Sequence, residues 1–262
     1  MSDRKVALVM HGMSAVGTAI CRRLHDDGVT VAATWSARQR TPEAWLAAQR
    51  DDGYGFTACG VDAADAAACA LVVERLLSTH GRIDILVNQL QPYAGPDDAR
   101  LGAVSPDTWR TVVRRGLDGV FNMNKLVAIP MLERRWGRIV QIASPPAWPV
   151  PARRQTVSHA AANAALHGLT KSMALELARH GVTVNTVAPG YLVRDEAAFG
   201  APATAQENSQ RDAQEAGALP SIPVGRLGAG VDVAALVAYL ASDLAAFVTG
   251  AQIGVNGGQY MN

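Results

Sequence analysis

Short apolar runs rich in β-branched side chains alternate along the chain with longer stretches in which apolar residues recur at helical spacing. The runs at 5–10, 29–34, 56–61, 83–88, 138–144, 182–188 and 252–255 are predicted strands, and their nearly unbroken apolar character suits strands covered on both faces. Between them lie predicted helices. The first spans 18–27 and is ended by Gly28; a short one is opened by Thr41, Pro42 and Glu43; a third spans 64–80. Another starts at Ser105, Pro106 and Asp107 and runs to about 135, and an alanine-rich one runs from Ser158 as N-cap to His180, ended by Gly181. Strand and helix in turn, with no internal repeat, predict a single α/β domain over 1–262: a Rossmann-like, doubly wound parallel sheet with helices on both faces. The least regular stretch, 193–220, is rich in Ala, Gln, Glu and Asp and follows a strand end, so it reads as a lid over a ligand crevice or as an exposed insertion.

Composition narrows the possible roles. The 262 residues, 49% of them hydrophobic, can bury a full core in one domain. A formal net charge of +1 gives no electrostatic basis for binding nucleic acid or an anionic membrane surface. The three cysteines, Cys21, Cys59 and Cys69, are scattered without metal-ligand spacing, so neither disulfides nor a metal site is expected. No apolar run approaches the length of a membrane span, and the one near the N-terminus is too short for a signal peptide; a cytoplasmic protein is expected.

In such a sheet ligands bind outside the carboxyl ends of the strands, so the loops after strands are where chemistry is expected. After the first strand, the turn from His11 to Gly17 precedes a helix, and Gly12, Ser14 and Gly17 are candidates to hold a pyrophosphate at the helix N-terminus. After the second, the segment carrying Ser36, Arg38 and Arg40 has no acidic residue for a ribose 2′-hydroxyl; its arginines suit a 2′-phosphate, so NADP(H) is favoured over NAD(H). Asp62, after the third, is either an acceptor for an adenine amino group or a helix cap. Three more side chains can do chemistry: Ser144 at a strand end, with His159 and Asn163 on one face of the alanine-rich helix.

Several blocks resemble the short-chain dehydrogenase/reductase family over nearly the whole chain. They include Gly81-Arg82-Ile83-Asp84-Ile85-Leu86-Val87-Asn88, Gly137-Arg138-Ile139-Val140, Val184-Asn185-Thr186-Val187-Ala188-Pro189-Gly190-Tyr191 and Ile222-Pro223-Val224-Gly225-Arg226-Leu227-Gly228. Val248-Thr249-Gly250, Val255-Asn256-Gly257-Gly258 and Gln259-Tyr260-Met261 point to the acetoacetyl-CoA and 3-oxoacyl-thioester reductase branch. The resemblance implies reduction of a carbonyl by hydride from NAD(P)H. A tyrosine donates the proton, a lysine one turn later lowers its pKa and holds the nicotinamide ribose, a serine binds the substrate oxygen and an asparagine holds a relay water. Matched residue by residue, the serine is Ser144, the tyrosine position is His159, the lysine position is Asn163 and the relay asparagine falls on Gly116. On the cofactor side the resemblance implies roles for Gly12, Gly17, Asp62, Asn88, Pro189 and Gly190. There His11 stands for a threonine, Ala15 for the middle glycine, Gln89-Leu90-Gln91 for Asn-Ala-Gly, and Arg194 for a threonine that contacts the nicotinamide amide.

Two functions follow from these substitutions. A positioned general acid contributes on the order of 10² to 10⁴ in rate, so the replaced tyrosine and lysine imply that standard carbonyl reduction is lost and that the chain acts as a binding or structural subunit. The alternative is an NADPH-dependent oxidoreductase that reduces a 3-oxoacyl thioester with Ser144 and His159, because an imidazole with an ordinary pKa of about 6.5 can donate a proton near neutrality without a lysine. A partly exposed helix-start histidine without a catalytic role is the simpler reading of His159. The resemblance also implies assembly through two long helices and the C-terminal strand, as a homotetramer or a hetero-oligomer with an active paralogue, with an acyl thioester or a nucleotide as ligand. Ala160, Ala161, Ala164 and Ala165 would allow close helix approach, or would simply pack on the sheet.

Overall fold

A computed structural model of the chain describes residues 4–36, 42–89, 101–143, 157–193 and 215–261. Among them, β1 (Val6–Val9), β2 (Thr30–Trp35), β3 (Thr57–Gly60), β4 (Ile85–Gln89), β5 (Gly137–Ile142), β6 (Val182–Pro189) and β7 (Gln252–Val255) form one sheet. Its order is β3-β2-β1-β4-β5-β6-β7, and every neighbouring pair is parallel. Successive side chains of a strand point to opposite faces, which here means two cores. Ala7 and Val9 of β1 pack with Ile20 and Leu24 of α1 (Ala15–Asp26), Trp45 of α2 (Pro42–Asp51) and Val237 of α7 (Gly230–Ala241). Leu8 packs with Val72 of α3 (Ala66–His80), Met123 of α5 (Gly119–Arg134) and Leu177 of α6 (Val157–Leu177) on the other face. The doubly wound α/β fold expected from the sequence is therefore the observed one.

Most helix ends follow the local chemistry. Ser105 caps α4 (Pro106–Val113) by accepting from the Thr108 amide at 3.1 Å, and Pro106 fills the first helical position, where no amide donor is needed. Gly81 and Gly181 take left-handed backbone at φ 72° and 77° as helix stops. Three boundaries and one helix interior differ from expectation. The first helix begins at Ala15, earlier than 18, because Ser14 already caps it. Asp65, not a residue at 64, caps α3 by accepting from the Ala67 and Ala68 amides. Ser158 is not an N-cap: Val157 is already helical, and the Ser158 hydroxyl is buried without a hydrogen-bond partner. A cap is worth about 1 kcal/mol, which the packing of a long helix overrides. The helix after Ser105 reaches Arg134 only through one π-turn, Arg114–Asp118, between α4 and α5. The helix α7 has no counterpart in the sequence reading, since it is apolar nearly all round and shows no amphipathic stripe. Of the irregular stretch, 194–214 lies outside the described residues; its flanks are tied where Val193 donates to Gly228 and Gly228 to Tyr191.

At the amino ends of the strands one carboxylate joins three of them. Asp84 is fully buried and accepts from the Val6 amide at 2.8 Å and from Arg82 at 2.6 and 2.8 Å. Its own backbone donates to Val6 and accepts from Arg138, so β1, β4 and β5 start in register. Truncating one member of a buried, hydrogen-bonded ion pair strands the other charge and costs about 3–5 kcal/mol. Asp84→Ala is expected to destabilise the fold by about 3 kcal/mol or more in urea unfolding, with an unchanged dependence on denaturant.

Candidate functional site

The carboxyl ends of β1 and β4 lie side by side, and the chain turns one way from β1 to β2 and crosses to reach β4. The crevice between them is the place where a doubly wound sheet takes a ligand. The turn after β1 is tightly built. A Cβ on Gly12 would come within 2.6 Å of the Ala33 side chain, and one on Gly17 would overlap the His11 carbonyl, so both positions admit only glycine. Ser14 accepts from the Gly17 amide at 3.0 Å and donates to the Gln89 side-chain oxygen at 3.0 Å. His11 has φ 51°, a left-handed conformation that glycine adopts without cost. Its Nδ1 is buried without a partner, and burial holds the imidazole below the usual histidine range. Gly12, Ser14 and Gly17 thus form a tight, glycine-dependent turn at a helix N-terminus, a geometry suited to an anion.

The other expected cofactor positions divide. Ser36 follows β2 and is half-buried, whereas Arg38 and Arg40 lie outside the described residues. The Asp62 carboxylate accepts from the Ala64 amide at 3.1 Å, closing the turn that leads into α3. Asn88 is buried; its amide donates at 2.7 Å to Asn124 of α5, whose oxygen also accepts from Gln141 of β5 at 3.0 Å. Gly190 donates its amide to Val255, and a Cβ there would meet the Asn256 backbone at 2.7 Å, which explains glycine after Pro189.

Of the three candidate catalytic residues, Ser144 lies outside the described residues, one position beyond Ala143 at the end of β5. His159 and Asn163 stand in the first two turns of α6, His159 half-buried and Asn163 buried. The Asn163 side-chain amide donates to the His159 carbonyl at 2.8 Å. Gly116 falls within the π-turn and is buried. Such single π-turns recur at functional sites, because the wider turn re-aims the residues around it. Sequence reading placed Gln89 on the cofactor side but missed Asn124 and Gln141 as site-forming residues, although an amide inside an otherwise apolar strand run is a visible signal for the latter. Leu90, Gln91 and Arg194 also lie outside the described residues. The three thiols are free and buried, with their pKa values raised by burial, and no group of three or more His, Cys, Asp or Glu among the described residues could hold a metal ion. No helix among the described residues is long and apolar enough to cross a membrane.

The profile of a family described as enoyl-(acyl carrier protein) reductase matches residues 12–260. The chain belongs to the short-chain dehydrogenase/reductase family. Among its relatives, the acetoacetyl-CoA reductase of Cupriavidus necator is 35% identical over 263 residues, covering 98% of this chain and 99% of that protein. The 3-oxoacyl-(acyl-carrier-protein) reductase of Salmonella typhimurium is 35% identical over 262 residues, with 99% and 98% covered. Nodulation protein G of Azospirillum brasilense is 35% identical over 257 residues, with 98% of each covered. These relatives support the branch that the C-terminal blocks suggested.

In this short-chain dehydrogenase/reductase chain, the segment that leads into α7 is held by local chemistry. Arg226 makes two bonds of 2.8 Å to Asp232, which also accepts from the Ala229 amide at 2.7 Å at the start of α7. Alanine has no side-chain acceptor, so only this half of a capping box exists. The Arg226 hydrogen bonds and then the Ala229 amide lower the Asp232 carboxyl to about 2. A depressed carboxylate contributes stability that is present above its unfolded value of about 3.9 and lost as pH falls through its folded value. The difference in thermal midpoint between the wild type and Asp232→Asn is therefore expected to hold steady above pH ~4 and to shrink between pH ~4 and ~2.

Proposed function

We propose that the protein is an NADP(H)-dependent reductase of a 3-oxoacyl thioester that works with an altered proton donor. The observation that carries this reading is the end-to-end similarity to relatives named for acetoacetyl-CoA and 3-oxoacyl-(acyl-carrier-protein) reduction. Gly12, Ser14, Gly17, Asn88 and Gly190 would hold the dinucleotide along the strand ends, with Ser36, Arg38 and Asp62 at its adenosine end. NADPH, when bound, supplies hydride to the carbonyl carbon. Ser144 donates a hydrogen bond to the carbonyl oxygen, and His159 delivers the proton to it. Imidazole needs no neighbouring cation to titrate near neutrality, unlike a phenol with its ordinary pKa of about 10.

A second reading keeps the nucleotide or acyl-thioester ligand and drops the reaction, leaving a binding or structural subunit. It is favoured by Asn163, whose amide is turned onto the His159 carbonyl of its own helix and brings no positive charge. In either reading the assembly is a homotetramer or a hetero-oligomer with an active paralogue. Trp109, Phe121 and Ile129 on α4 and α5 are exposed, as are Val231 and Tyr239 on α7, and these apolar side chains are candidates for burial on assembly.

Purified protein is expected to oxidise NADPH in the presence of acetoacetyl-CoA, and His159→Ala to lower that rate by about 100-fold or more. Restoring the family pair with His159→Tyr and Asn163→Lys together is expected to raise the rate. No turnover above background in the wild type, with NADPH still bound in calorimetry, selects the second reading. Sizing by light scattering is expected to give a tetramer, reduced to smaller species by Phe121→Glu or Tyr239→Glu.

A further inference from the structure

We propose that Ser14 and Gln89 form a latch across the dinucleotide crevice, and that Gln89 sets how tightly this chain takes the diphosphate of NADP(H). The proposal rests on the nucleotide-binding reading above. Ser14 follows β1 and Gln89 is the last residue of β4, so the 3.0 Å bond between their side chains spans the two strand ends where the sheet changes direction. This is the crevice in which a diphosphate would lie against the N-terminus of α1.

The latch removes donors that such a ligand would use. A serine hydroxyl has one hydrogen, and Ser14 gives it to the Gln89 oxygen. The Ser14 oxygen meanwhile accepts from the Gly17 amide, one of the first-turn amides of α1. Hydroxyl and amide are both satisfied within the protein. A diphosphate must displace Gln89 before Ser14 can turn its hydrogen toward a phosphate oxygen.

The bond has no evident structural task. Ser14 caps α1 through its contact with Gly17, which does not involve Gln89. The pairing of β4 with β5 runs through backbone atoms and reaches Gln89 opposite Ile142 without its side chain. Shortening Gln89 by one methylene, as in Gln89→Asn, withdraws the amide from Ser14 and keeps its polarity. Gln89→Ala removes it entirely, and both variants leave the helix cap intact.

The test is calorimetric titration of the wild type, Gln89→Asn and Gln89→Ala with NADPH and with adenosine 2′-monophosphate, which carries the adenosine end but no diphosphate. Thermal unfolding of each variant checks that the fold is kept. Breaking one neutral hydrogen bond corresponds to about a threefold to tenfold change, so NADPH is expected to bind about three to ten times more tightly to both variants, with the monophosphate unchanged. Unchanged or weaker NADPH binding, or an equal gain for both ligands, overturns the latch and leaves nucleotide binding standing. Failure of all three proteins to bind either ligand overturns the nucleotide-binding reading and the latch with it.

Discussion

A parallel sheet must be covered on both faces, and this requirement organises the molecule. Each strand end on one side of the sheet is followed by a connection to a helix, so turns, helix N-termini and polar side chains gather along one edge. The opposite edge is left for structural work. There Asp84 joins β1, β4 and β5 through the Val6 amide and the Arg82 guanidinium. Lys5, Trp136 and Arg138 gather around Asp243 nearby, and the Lys5 and Trp136 hydrogen bonds lead in holding that carboxyl below its ordinary range.

At the carboxyl ends of the strands the side chains settle among themselves. His11 occupies a left-handed position, Gln89 reaches across to Ser14, and Asn163 bonds to its own helix. Beneath them, Asn88, Asn124 and Gln141 form a buried amide cluster that links β4, β5 and α5. The Asn124 side-chain nitrogen and the Gln141 side-chain oxygen are buried without partners among the described residues, so the cluster is only partly satisfied. The helix around Gly116 makes one π-turn. Backbone geometry and side-chain chemistry are thus separable here: the frame is that of the short-chain dehydrogenase/reductase fold, and the groups mounted on it set the chemistry.

Much of the fold was legible in the sequence because its signals are local. β-branched runs, the Ser105-Pro106 start and the glycines at 28, 81 and 181 act through their own backbone. Errors arose where a distant contact outweighed a local preference. Ser158 offers a cap but lies within a helix buried against the sheet. The helix α7 escaped notice because both its faces are apolar, so periodicity carries no information about it.

By itself the sequence determined the α/β class, the family and the chemical identity of each candidate, because residue type and spacing are intrinsic to the chain. Tertiary structure decided which of those groups meet. Ser14 and Gln89 are separated by 75 positions, as Asn124 and Gln141 are by 17, and only the crossover that sets β4 beside β1 and α5 over β5 brings them within hydrogen-bond reach. Pairings of that kind depend on strand order, which no local preference encodes.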